Sequence, residues 1–171
     1  IICIEGSIWI NTSHKTHYEE SENGMVQFCT TSQKIIDIVE YHDGIKPYRQ
    51  SCCKYKDKIY IIDGENGEIT LFDPKSKTFT KKLEIEKIGQ YLSSAMLSDK
   101  IHIFHGSNNE NNHLVYDPDD NTVRTKTAKS DRMDGACAVV YDNQIIKFAG
   151  SSLSEGNIFI LFHLFSFELN L

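Results

Sequence analysis

Proline is scarce, with three in 171 residues, and tryptophan scarcer, with Trp9 alone. Ten glycines and three prolines leave no low-complexity linker. Basic charge is in deficit: 18 Lys+Arg against 24 Asp+Glu gives a net charge of -6. A protein that grips nucleic acid through its phosphates is normally basic, so no nucleic-acid partner is expected. Long hydrophobic runs are missing too. The longest, Ile158 to Leu169, is twelve residues broken by His163, Ser166 and Glu168, short of the ~20 a spanning helix needs. No membrane partner is expected. There is no C-x-x-C among Cys3, Cys29, Cys52, Cys53 and Cys137, hence no zinc ribbon or thioredoxin-type site, and the default is reduced thiols. No G-x-S-x-G, Walker-type loop or H-E-x-x-H occurs. No basic n-region opens the chain, so an intracellular, cytoplasmic location is expected. Asn11-Thr12-Ser13 fits the glycosylation pattern and reads as chance.

A repeat is present. Ser51 to Gly64, Ser93 to Gly106 and Cys137 to Gly150 align without gaps. Each has a polar turn pair (Lys56-Asp57, Ser98-Asp99, Asp142-Asn143), an apolar run and a closing glycine. A second landmark, Leu71-Phe72-Asp73-Pro74, returns as Val115-Tyr116-Asp117-Pro118. Phe72 and Tyr116 are 44 residues apart, and a further step of 44 back reaches Phe28. Seven residues beyond each aromatic stands Ile35, Phe79 or Val123.

The unit reads as strands. Cys53/Tyr55, Ala95/Leu97 and Val139/Tyr141 alternate, an Asp- or Asn-bearing pair suits a hairpin, and Ile59–Ile62, Ile101–Phe104 and Ile145–Phe148 are β-rich and apolar on both faces. Four short strands in ~40–50 residues are the signature of a propeller blade. The expected fold is all-β: a partial propeller of three to four four-stranded antiparallel blades forming an incomplete ring. Approximate units are 1–48 (partial, with a long loop), 49–90, 91–134 and 135–171 (partial). Ile1 to Gly6 reads as the tail of a second strand with its glycine. Gly64, Gly106 and Gly150 are expected to end second strands, and Phe28, Phe72 and Tyr116 to share one packing layer.

These residues resemble the kelch repeat, an apolar strand ending in a glycine pair, then an aromatic-Asp dipeptide and a Trp about six residues beyond. Ala138 to Gly150, Phe72-Asp73 and Tyr116-Asp117 carry the likeness over roughly residues 25–150. Asp63, His105 and Ala149 replace the first glycine, and Phe79 or Val123 the Trp. WD40 repeats have a similar period, but no Gly-His pair occurs here. The resemblance implies six or seven blades in a closed ring, so the rest of such a ring is an expected partner.

Galactose oxidase is similar in architecture and binds copper with two Tyr and two His. Here His14 and His17 lie in a polar loop, while His102 and His105, three apart on a strand, point to opposite faces and cannot share a metal. His102 aligns with Tyr60 and Ile146 as a half-buried strand residue. No catalytic, cofactor-binding or metal residue is assigned, and no cofactor. Asp73 and Asp117 are accounted for by Asx turns. Function is then expected in the loops: Glu65 and Asn66; Ser107, Asn108, Asn109 and Asn111; Ser152 and Glu155. The leading expectation is a non-catalytic module that binds another protein. The alternatives are a fragment of a galactose-oxidase or sugar-isomerase type enzyme whose site lies in other blades, and a carbohydrate-binding propeller.

Overall fold

The computed structural model describes residues 2–4, 6–12, 24–41, 50–85, 89, 91–104, 112–127, 136–148 and 163–165. These form four antiparallel sheets, and the described residues contain no helix. Sheet 1 holds β1 (Ile2–Ile4), β2 (Ser7–Thr12), β3 (Gly24–Cys29) and β4 (Lys34–Glu40). Sheet 2 holds β5 (Ser51–Tyr55), β6 (Lys58–Asp63), β7 (Glu68–Asp73) and β8 (Thr78–Glu84). Sheet 3 holds β9 (Ser93–Leu97), β10 (Lys100–Phe104), β11 (Asn112–Asp117) and β12 (Thr122–Thr127). Sheet 4 holds β13 (Cys137–Tyr141), β14 (Gln144–Phe148) and β15 (His163–Phe165). Within each sheet the strands follow in chain order, so every sheet is an up-and-down meander.

The repeat period is written into the pairing. Phe28 lies opposite Ile35, Phe72 opposite Phe79, and Tyr116 opposite Val123. The turns between those strands each hold one non-glycine residue at positive φ: Gln33 (56°), Lys77 (56°) and Asn121 (54°). They too are 44 residues apart. Asp73 and Asp117 fasten these turns by accepting from the backbone N–H two residues on, at 2.9 Å from Lys75 and 3.1 Å from Asp119. Each also pairs with the lysine that opens the second strand of its own sheet: Lys58 to Asp73 at 2.6 Å, and Lys100 to Asp117. Those lysines hold both carboxyls below the usual carboxylate range.

Alternation along a strand sends neighbouring side chains to opposite faces, and the central sheets bury both. From β6, Ile59 and Ile61 pack with Trp9, Met25, Phe72 and Phe79 between sheets 1 and 2. Tyr60 and Ile62 face the other way and meet Ile101, Ile103, Leu114 and Tyr116 between sheets 2 and 3. Ala95, Leu97 and Phe104 meet Ile145 between sheets 3 and 4. Cys52 and Cys53 divide between the first two of these cores. The first strands of successive sheets lie against one another, β1 with β5, β5 with β9, and β9 with β13.

Three expectations change. Ile2–Ile4 is the first strand of its sheet, and Gly6 (φ 75°) turns the chain into β2 rather than closing a second strand. A tight glycine turn after an apolar triplet gives the same sequence signal in either place. The first unit consequently has four strands, β2 lying in what reads as loop. His102 is buried, not half-buried. Gly64 begins the turn after β6; Gly106 and Gly150 lie outside the described residues. Phe72 and Tyr116 are fully buried at matching positions, while Phe28 is half-buried.

Candidate functional site

Of the eight loop residues singled out in the sequence, Glu65 and Asn66 fall in the described structure. Ser107, Asn108, Asn109, Asn111, Ser152 and Glu155 lie outside it. Glu65 and Asn66 occupy the β6–β7 turn, which the buried Asp63 organises. Its Oδ1 accepts from the backbone N–H groups of Glu65 and Asn66, both at 3.0 Å, and its Oδ2 from Asn66 Nδ2 at 2.7 Å. The Asp63 carbonyl takes the N–H of Gly67 at 3.0 Å, where φ of 72° suits glycine. The chain leaving sheet 2 braces the turn, with Ile85 N–H donating to Gly67 O at 2.7 Å and Gly89 N–H to Gly64 O at 3.1 Å. The turn is a fixed platform.

Beside it stands a polar group that no local pattern announces. Tyr41 OH donates to Asn11 Oδ1 at 2.8 Å, and Asn11 Nδ2 donates to Cys52 Sγ at 3.2 Å. The Asn11 amide is thus engaged inside the fold. Gln50, just before β5, stands at the same end of sheet 2 as the Asp63 turn, because Ser51 pairs with Ile62. Two buried oxygens at this end, Gln50 Oε1 and Glu65 Oε2, have no hydrogen-bond partner among the described residues. A buried acceptor without a donor is costly, and a ligand supplying N–H groups would relieve it.

The thiols and the phenol of this group are held in their neutral forms. Burial pushes the Cys52 thiol up and the Tyr41 phenol far up. Burial also drives Cys53 up to about 12, so it is a neutral thiol at physiological pH. Cys53 is expected to stay silent to an alkylating reagent until the protein unfolds, whereas exposed Cys3 and Cys137 react in the native state. Mass mapping of labelled peptides checks this; native labelling of Cys53 would show the sheet 2–sheet 3 core to be open.

Among the described residues no group of three or more His, Cys, Asp or Glu is placed to hold a metal. His102 does find a second imidazole, across the strand pair: His113, at 2.9 Å between Nδ1 and Nε2. At the opposite end of sheets 1 and 2, a cleft of about 170 Å³ is lined by Ser7, Trp9, Gln27, Asp57 and Lys75. Ligand pockets run to roughly 300–1,000 Å³, so it is small for one. That end is laced by ion pairs. Asp119 of sheet 3 takes Tyr55 OH at 2.7 Å and Lys56 Nζ at 2.8 Å from sheet 2.

No helix among the described residues is long and apolar enough to cross a membrane. No protein-family model matches the chain, and no curated protein matches it. A solved structure described as "Structure of YjhT" is similar, with a TM-score of 0.69 at 8% identity over 86% of this chain. The chain spans about half of that protein, 50% of its length. At that identity the likeness is one of fold.

Proposed function

We propose that this chain is a non-catalytic interaction module, its four sheets being consecutive blades of a kelch-like propeller, and that it binds another protein through the Asp63 turn. Four meanders in succession, first strands side by side, and the fold likeness to YjhT support the blade reading. The observation that carries the binding reading is the pair of buried, unsatisfied acceptors, Gln50 Oε1 and Glu65 Oε2, on a rigid turn. They ask for donors, so the partner is a donor-rich segment bearing Lys or Arg, which suits the chain's net charge of -6.

Glu65→Ala is expected to weaken such a partner about tenfold, or ~1.4 kcal/mol, with an unchanged melting curve. Lys75→Ala, exposed at the other end of the sheets, serves as control and should bind as wild type does. Basic peptide arrays followed by titration calorimetry read both. Equal binding by wild type and Glu65→Ala removes the turn from the interface. Turnover of a sugar by the chain would instead favour the enzyme alternative.

A further inference from the structure

The cleft between sheets 1 and 2 stands where the next junction holds a ring. Strand register fixes the equivalent positions. In sheet 2 Tyr55 pairs with Lys58 and Cys53 with Tyr60; in sheet 1 Ile4 pairs with Ser7 and Ile2 with Trp9. Ile4 is thus the counterpart of Tyr55, and Trp9 of Tyr60. On the facing sheet, Lys75 follows Asp73-Pro74 as Asp119 follows Asp117-Pro118. Between sheets 2 and 3 the buried Tyr55 ring lies edge-on to Tyr60, 6.3 Å between centroids, and its hydroxyl donates to Asp119 Oδ2 at 2.7 Å. Between sheets 1 and 2 the shorter Ile4 reaches no such partner. The cleft of about 170 Å³ remains there, with Ile4, Trp9, Asp57 and Lys75 in its lining.

We infer that this cleft binds a free aromatic amino acid, whose ring takes the place that Tyr55 fills one junction on and whose charged head lies at the mouth. Small for a drug-sized ligand, the cleft is the size of one ring, since a cavity of about 150 Å³ holds benzene. The wall suits a ring as well. Trp9 is edge-on to Phe72 at 5.0 Å, as Tyr60 is tilted on Tyr116 at 5.8 Å, so Trp9 stands beside the cleft as Tyr60 stands beside Tyr55. Edge-to-face and offset contacts of this kind add to the gain from burial. The mouth suits the head. Lys75 Nζ and Asp57 Oδ2 are 3.3 Å apart and both side chains are exposed, one cation and one anion to meet an α-carboxylate and an α-ammonium. Where Asp119 accepts from a hydroxyl, Lys75 brings the opposite charge and calls for an acceptor. The inference rests on this junction and is independent of binding at Glu65.

Trp9 is the single tryptophan and lines the cleft, so selectively excited tryptophan fluorescence reports on it. Phenylalanine at millimolar concentration, the range expected of so few atoms, should change the Trp9 emission saturably. Alanine, with the same head and no ring, should leave it unchanged. Phenylpropionate and phenethylamine each carry half of the head and should bind about tenfold more weakly than phenylalanine. Lys75→Ala, at an exposed position, should weaken phenylalanine by about the same factor with an unchanged melting curve. Ile4→Tyr gives sheet 1 the ring that sheet 2 already has, and should abolish the response in a folded protein. Absence of a saturable response to phenylalanine overturns the inference, and so does an equal response to alanine or to glucose. Undiminished binding by Lys75→Ala places the ligand outside the cleft mouth and overturns it too.

Discussion

Phe72→Ala is expected to lower the free energy of unfolding by ~3–5 kcal/mol, the usual loss when a fully buried aromatic is cut to alanine. Phe72 is 0% exposed and stands where sheet 1 meets sheet 2. Its ring is edge-on to Trp9 at 5.0 Å between centroids and 4.8 Å from Phe79, the residue directly opposite on β8. Truncation removes both ring contacts and opens a cavity between two sheets whose strands are already fully paired, so little can move to fill it. Tyr116, one repeat on, is equally buried, and its hydroxyl donates to Asn121 Oδ1 at 2.8 Å. Tyr116→Ala should therefore cost at least as much. Urea unfolding of both variants reads the effect. A loss under about 1 kcal/mol for Phe72→Ala would mean that the ring does not fill the junction.

The 44-residue period could be read because it is a local chemical pattern repeated under one geometric demand. Phe28, Phe72 and Tyr116 each face a partner seven residues on, since a hairpin of fixed turn length brings those positions opposite. Gln33, Lys77 and Asn121 follow the same period in φ, although the lysine shares no side-chain chemistry with the two amides. Sheet 1 was harder to read because the β2–β3 connection, residues 13–23, is longer than its counterpart at Gly64–Gly67. Counting back from Phe28 by the repeat misplaces β2. The Asn11–Tyr41–Cys52 group was hidden for another reason. Its members are 30 and 41 residues apart, on three strands or strand ends of two sheets, and only the packing of those sheets brings them together. Glu65 and Asn66 were legible as a polar turn, but Asp63, which fixes that turn, stands where the kelch-like pattern has a glycine. The His102–His113 pair is a diagonal contact on one sheet face. Period-two alternation from Phe104 puts His102 on that face, and the β10–β11 register adds His113.

The protein is expected to lose about 2–3 kcal/mol of stability between pH 6.5 and 4 through His102 alone, from a pKa depression of this size at 1.36 kcal/mol per unit. His102 is 5% exposed, and burial lowers its pKa from 6.5 to about 4, with the charge of Lys126 acting in the same direction. Its neighbours make the neutral form the native one. His113 shares a hydrogen bond with it, stacks on Phe104 at 4.6 Å and lies opposite Lys126. From sheet 4, the buried Lys147 brings its ammonium 5.3 Å from the centroid of the same Phe104 ring. A proton on His102 adds a second cation to a junction that already holds one. Because the folded pKa lies below the unfolded value, the unfolded chain binds more protons between the two. The stabilisation is complete above pH 6.5, falls as the pH drops through the window, and is gone below about 4. Asp37, Asp73, Asp117 and Asp119 are all held below the usual carboxylate range by lysine partners. Their own losses therefore come at lower pH and leave the upper window to the imidazole. Urea midpoints at pH 7 and pH 4.5 for wild type and His102→Gln isolate the effect, since the comparison is between slopes and not between starting stabilities. His102→Gln should show a shallower loss on acidification. An equal loss in both proteins would place the titrating group elsewhere and leave His102 a packed ring with no part in acid sensitivity.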